Sequence, residues 1–161
     1  MSSGRILVAT VGHVPILKFS GDVRVLMSSA LDNYCSSLYQ KPVLERMIVD
    51  MTETQGIDST ALGLIAKMAI QLRNRFNVSP TIVSTNPDIT RILKSMSIDL
   101  ICNIVESMDS GETEFDELNQ MDETEDTVRQ KVIEAHQTLM ALSDENKAEF
   151  QDLISVLKAD R

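Results

Sequence analysis

From Arg5 to Val11 the chain runs almost unbroken through apolar and β-branched side chains, which predicts a strand. Gly12-His13 then offers a two-residue turn, with positive φ open to Gly12, into a second run from Val14 to Phe19. The second run predicts a strand antiparallel to the first, with Pro15 near its start where no ladder donor is needed. Ser20-Gly21-Asp22 is expected to break it. From Val25 the period changes to that of a helix, with Leu26, Ala30, Leu31, Tyr34 and Leu38 on one side and Pro42 beyond its end. A strand is predicted over Leu44 to Met51. Its continuous centre, Met47-Ile48-Val49, predicts a central parallel strand buried on both faces and leaving the sheet at Asp50-Met51. A longer helix follows from Asp58 to Phe76, carrying Leu62, Ile65, Ala66, Ala69, Leu72 and Phe76 at helical spacing, with Asp58, Ser59 and Thr60 at its cap. Thr81 to Ser84 is extended, Asn86-Pro87-Asp88 opens a short helix through Ile89, Ile92, Leu93 and Met96, and Leu100 to Val105 closes the unit as an edge strand. This alternation predicts an α/β fold: a mixed sheet with an antiparallel edge strand, then parallel strands joined by right-handed crossovers.

Beyond Val105 the character of the chain changes. Residues 106–161 carry sixteen acidic against five basic side chains, a net charge of −11, whereas residues 1–105 carry eight against ten, a net of +2. The shift marks a boundary near Val105 to Gly111 and divides the chain into a domain over 1–107, an acidic linker over 108–121 and a helical hairpin over 122–161. Asp122 with Glu125 reads as a capping pair for the first helix, whose stripe is Val128, Val132, Ala135, Leu139 and Leu142. Ser143-Asp144 restarts a second helix carrying Phe150, Leu153, Ile154 and Leu157. Each stripe needs cover from the domain, the neighbouring helix, a second chain or a client protein. His136, among polar neighbours, is expected on the solvated surface, and His13 is expected to serve its turn.

Composition narrows the classes. The 161 residues suit one domain with an extension, and 43% hydrophobic but 4% aromatic content, with no Trp, predicts an aliphatic core. Cys35 and Cys102 alone form no disulfide framework and no metal-ligand spacing, so no metal is expected. The acidity of the tail argues against nucleic acid as a partner. Met1-Ser2-Ser3-Gly4-Arg5-Ile6 lacks the pattern of a signal peptide, and no apolar run approaches the ~18 residues of a membrane span. A soluble, cytoplasmic protein without a membrane partner is expected.

The motifs of catalysis do not match. A nucleophile elbow needs glycine on both sides of its serine, which Gly56-Ile57-Asp58-Ser59 does not supply, and no His–carboxylate pair lies near Ser59 in sequence. Six scattered glycines form no phosphate-binding loop. Asp50 ends an apolar strand as the phosphoacceptor of a response-regulator receiver would. Gly12-His13 after the first strand and Glu106-Ser107 after the last supply neither the acidic pair nor the lysine that such a site uses for Mg²⁺ and the phosphoryl group.

Phe19-Ser20-Gly21-Asp22, then Ile48-Val49-Asp50-Met51, then Asp58-Ser59-Thr60-Ala61-Leu62-Gly63, in this order of elements, resemble a STAS domain of the anti-anti-sigma type over about residues 5–107. The resemblance implies a STAS-like mixed sheet and a non-enzymatic partner switch. The serine after the aspartate, here Ser59, would be phosphorylated by an anti-sigma kinase and dephosphorylated by a serine phosphatase; Thr60 is the weaker candidate. Unmodified protein would bind the anti-sigma factor and free a sigma factor, through Gly21, Asp22, Asp58, Ser59, Thr60, Ala61 and Leu62. The tail around Glu134-Ala135-His136 and Asn146-Lys147 resembles longer Gram-negative members controlled by a response regulator with phosphatase and kinase domains, acting in stress response or in the choice between motility and biofilm. Ala61 stands where the family usually has glycine, which firms the helix start by ~1 kcal/mol. Arg24 stands where many members have aspartate, so no nucleotide and no other cofactor is expected. A homodimer through the C-terminal helices, and a STAS subunit docking the ATPase of an ABC-type transport complex, are the alternatives.

Overall fold

A computed structural model describes residues 4–108 and 113–159. Part of the expected boundary, at 109–111, lies outside the described residues. The elements are β1 (Arg5–Val11), β2 (Val14–Val23), α1 (Ser28–Tyr39), β3 (Ile48–Ile57), α2 (Ser59–Phe76), β4 (Thr81–Val83), α3 (Pro87–Ser95), β5 (Asn103–Val105), β6 (Asp116–Glu117), α4 (Glu125–Met140) and α5 (Asp144–Ala159). The sheet order is β5-β4-β3-β2-β1-β6. β1 pairs antiparallel with β2 and β6, while β2, β3, β4 and β5 run parallel. Gly12 turns β1 into β2 at φ 64°, with His13 exposed beside it. Among the described residues, no helix is long and apolar enough to cross a membrane.

β3 begins at Ile48 rather than Leu44 and β5 at Asn103 rather than Leu100, where a 3-10 turn over Ile98–Leu100 comes first, and three further features of the sheet differ from the pattern-based expectation. Ser20-Gly21-Asp22 does not break β2, which continues to Val23 through two register irregularities against β3, with Gly21 at φ 78°. β3 likewise runs past Met51 to Ile57. The extension is mostly polar in side chain yet still pairs with β2 at Glu53, Thr54, Gly56 and Ile57, and buried Thr54 donates its hydroxyl to the Phe19 carbonyl at 2.8 Å. β1 is not the sheet edge, because β6, from the acidic segment expected as a linker, pairs outside it. Arg5 and Glu117 form an ion pair there, and the Leu118 amide donates to the Ile6 carbonyl at 2.8 Å. Backbone ladders need no apolar side chain, which is why hydropathy missed all three.

The core lies on one side of the sheet. Leu17, Phe19, Val49 and Met51 are fully buried with Leu31 and Leu38 of α1 and Leu62, Ile65, Ala69 and Leu72 of α2. Ile16, Lys18, Ile48 and Asp50, on the alternate positions, are only half-buried. β3 is therefore central in the sheet without being sealed on both faces. Asp50 accepts from the Thr52 amide at 2.9 Å and the Thr52 hydroxyl at 2.7 Å, a local backbone-fixing role. Burial holds the Cys35 and Cys102 thiols up at about 12, as inert core side chains.

Candidate functional site

The ends of β2 and β3 deliver the loop after Val23 and the start of α2 to the same place, since Asp22 pairs with Gly56 and Val23 with Ile57. Gly56 leaves room for the Asp22 side chain: a Cβ there would stand 2.6 Å from an Asp22 carboxylate oxygen, which would have to swing aside. Asp58 is the N-cap of α2. Its Oδ1 accepts from the Ala61 amide at 2.9 Å, its Oδ2 from the Val25 amide at 2.6 Å, and its own amide donates to the Val23 carbonyl at 3.0 Å. One carboxylate thus satisfies a free helical donor and fastens the β2 exit to the helix. Asp22 pairs with Arg24 at 2.6 Å, and this hydrogen bond, then the charge of Asp22, raises the Arg24 guanidinium pKa; the arginine is 61% exposed.

Of the expected site residues, Asp22, Asp58 and Ser59 are half-buried at this end of the sheet, whereas Gly21, Thr60, Ala61 and Leu62 are buried. Thr60 is buried at 5% exposure, whereas Ser59 beside it is half-buried.

His136 is not a surface residue. It is 2% exposed, and its Nε2 lies 2.7 Å from the Ser59 hydroxyl, a partner 77 positions away. Its Nδ1 lies 2.7 Å from the Val132 carbonyl. A carbonyl only accepts, so Nδ1 carries a proton and donates to it, while Nε2 is in hydrogen-bond contact with the Ser59 hydroxyl. Phe150 of α5 stacks edge-on to the ring at 4.9 Å. The pair differs from an activated nucleophile: the second ring nitrogen is held by the histidine's own helix rather than by a carboxylate.

His136 reaches Ser59 because α4 lies on α2, so the first helix of the hairpin is covered by the domain and by α5. Gly63 of α2 meets the backbone of Ala135, where a Cβ on Gly63 would stand 2.6 Å from the Ala135 Cβ. The buried face of α4 is Ile133, Ala135, His136 and Leu139. Of the expected stripe, Ala135 and Leu139 are buried and Val128, Val132 and Leu142 half-buried; Ile133 and His136 widen it, because α4 packs against α2 and α5 at once. Burying a side chain such as Ile133 or Leu139 contributes ~1.5–3 kcal/mol. Thr124, not Asp122, caps α4, its hydroxyl accepting from the Thr127 amide at 3.1 Å. Buried Asn146 donates from Nδ2 to the carbonyls of Met96 and Leu139, each at 2.8 Å, and Ser97 and Ser143 bond at 2.9 Å.

Asp32 of α1 completes the dock, accepting from Lys131 of α4 at 2.8 Å and Lys67 of α2 at 3.5 Å. Burial pushes its carboxyl up, but the hydrogen bond from Lys131 and the charges of both lysines prevail and hold it below 3.8. A depressed carboxylate contributes stability above its unfolded value, and that contribution is lost as pH falls through the folded one. Urea unfolding of wild type and Asp32→Asn should therefore differ most near neutral pH. The difference should shrink as pH falls below about 3.8 and vanish only beneath the lower folded value.

Comparison with known proteins agrees with this architecture. The STAS domain family matches residues 5–111. A crystal structure from Thermotoga maritima, of a protein named as a candidate anti-sigma factor antagonist, superposes with a TM-score of 0.52 at 19% identity, covering 63% of this chain and 86% of the other. Comparison with curated proteins finds no match.

Proposed function

This chain belongs to the STAS domain family, and on that premise we propose that it is an anti-anti-sigma factor, a partner switch controlled by phosphorylation of Ser59. Unmodified protein binds an anti-sigma factor and so frees a sigma factor; the phosphoprotein does not bind. The observation that carries the reading is the place of Ser59: the first residue of α2, directly after the Asp58 cap, beside the Gly21-Asp22 exit of β2. A helix N-terminus tolerates a phosphate, because its free amides and dipole favour an anion. The added −1.5 to −2 charges act on whatever surface docks there. Asp58 is committed to two amides and adds a like charge, so the phosphate finds no counter-charge in the cap itself.

The partners on this reading are an anti-sigma protein with serine kinase activity and a serine phosphatase, joined in one response regulator, with stress response, motility or biofilm as output. The protein itself acts by binding, without catalysis, in the cytoplasm. Leu153 and Val156 of α5 stay exposed, which keeps a homodimer through the hairpin within the proposal. Phosphosite mapping by mass spectrometry on the protein from its native cells tests the reading. Phosphate on Ser59 and not Thr60 is expected. A chain never phosphorylated in any growth phase would favour the transport-complex alternative, in which the same surface docks an ATPase.

A further inference from the structure

We propose that a docked hairpin and a phosphate on Ser59 exclude each other, so that phosphorylation expels α4 and α5 from α2 while the sheet domain stays folded. This deepens the reading of Ser59 as a phosphorylation site and rests on it. The first ground is the seat of the hydroxyl. The Ser59 hydroxyl lies 2.7 Å from Nε2 of buried His136, a ring whose other nitrogen is fixed on the Val132 carbonyl and against which Phe150 packs. In phosphorylation by a kinase and a nucleoside triphosphate, the Oγ–P bond forms, the terminal P–O bond breaks, the diphosphate leaves and the hydroxyl proton goes to solvent. A phosphoryl group then has to fit where 2.7 Å now separates the Ser59 oxygen from the buried His136 ring.

The second ground is the absence of slack. One turn along α2 from Ser59, Gly63 meets the Ala135 backbone with no room for a methyl group. α4 cannot retreat by the width of a phosphate and keep that contact, and packed interfaces of this kind move between discrete arrangements rather than yield by degrees. The third ground is charge. Glu134 flanks His136 and Asp58 flanks Ser59, while Lys67, two turns further along α2, already holds Asp32 and Glu134. The same exclusion works in reverse, because coupling between two sites is reciprocal: the docked hairpin shields Ser59, and a kinase must capture the open form.

Hydrogen exchange of the full chain, with phosphoserine installed at position 59 during synthesis, tests this without any partner protein. The amides of α4 and α5 should exchange faster than in the unmodified chain by roughly 5–150-fold, with β1 to β4 unchanged. Equal or greater protection of the hairpin overturns the proposal, as does loss of protection spreading into the sheet. Because the phosphate is installed chemically, this outcome is independent of whether cells phosphorylate Ser59. A released hairpin with no cellular phosphate would leave the coupling standing and remove the switch.

Discussion

Gly63→Ala will destabilise the protein by about 1–3 kcal/mol in urea unfolding, against the sign that helix propensity gives. Alanine is the better helix former by ~1 kcal/mol in the middle of a helix such as α2, so an exposed Gly63 would gain from the change. Gly63 is not exposed. Its missing side chain is the space that Ala135 of α4 occupies, and a new methyl group meets the Ala135 carbonyl carbon, carbonyl oxygen and Cβ. Two of those three are backbone atoms, which no rotamer change can move. Hence a second change, Ala135→Gly, removes only the Cβ contact at 2.6 Å and should restore little. A neutral or stabilising Gly63→Ala would mean that α4 does not rest on α2 in solution.

The elements that align hydropathy with backbone were legible in the residues. β1, the body of α2 capped by Asp58, and α3 with its Asn86 cap and first-turn Pro87 fall where periodicity and capping chemistry put them. Where backbone pairing runs on without apolar side chains, pattern had nothing to detect: the second half of β3, the bulged end of β2, and β6. The candidate site divides the same way. Asp58 and Ser59 were local signals, readable from a strand, a cap and a stripe. The Ser59–His136 bond was not, because it joins two elements separated by an acidic segment, and polar neighbours masked the burial of the ring. One signal was available. His136 stands three residues from both Ile133 and Leu139, on the buried face of α4, and a histidine on an apolar face needs a partner for each nitrogen.

The partner switch predicts its largest effect at one atom. Ser59→Asp puts a fixed negative charge at the start of α2, where the proposed interface carries a hydroxyl, whereas Ser59→Ala removes the hydroxyl without adding charge. A like or unpaired charge at the heart of an interface costs ~2–5 kcal/mol, which is roughly 30- to 4,000-fold in affinity. Ser59→Ala should bind about as well as wild type, because it brings no charge to the proposed interface. The most direct measurement is capture from lysates of the native cells with the two full-length variants as baits, quantified by mass spectrometry. The account predicts an anti-sigma factor retained by Ser59→Ala and lost by Ser59→Asp; equal retention by both would contradict it.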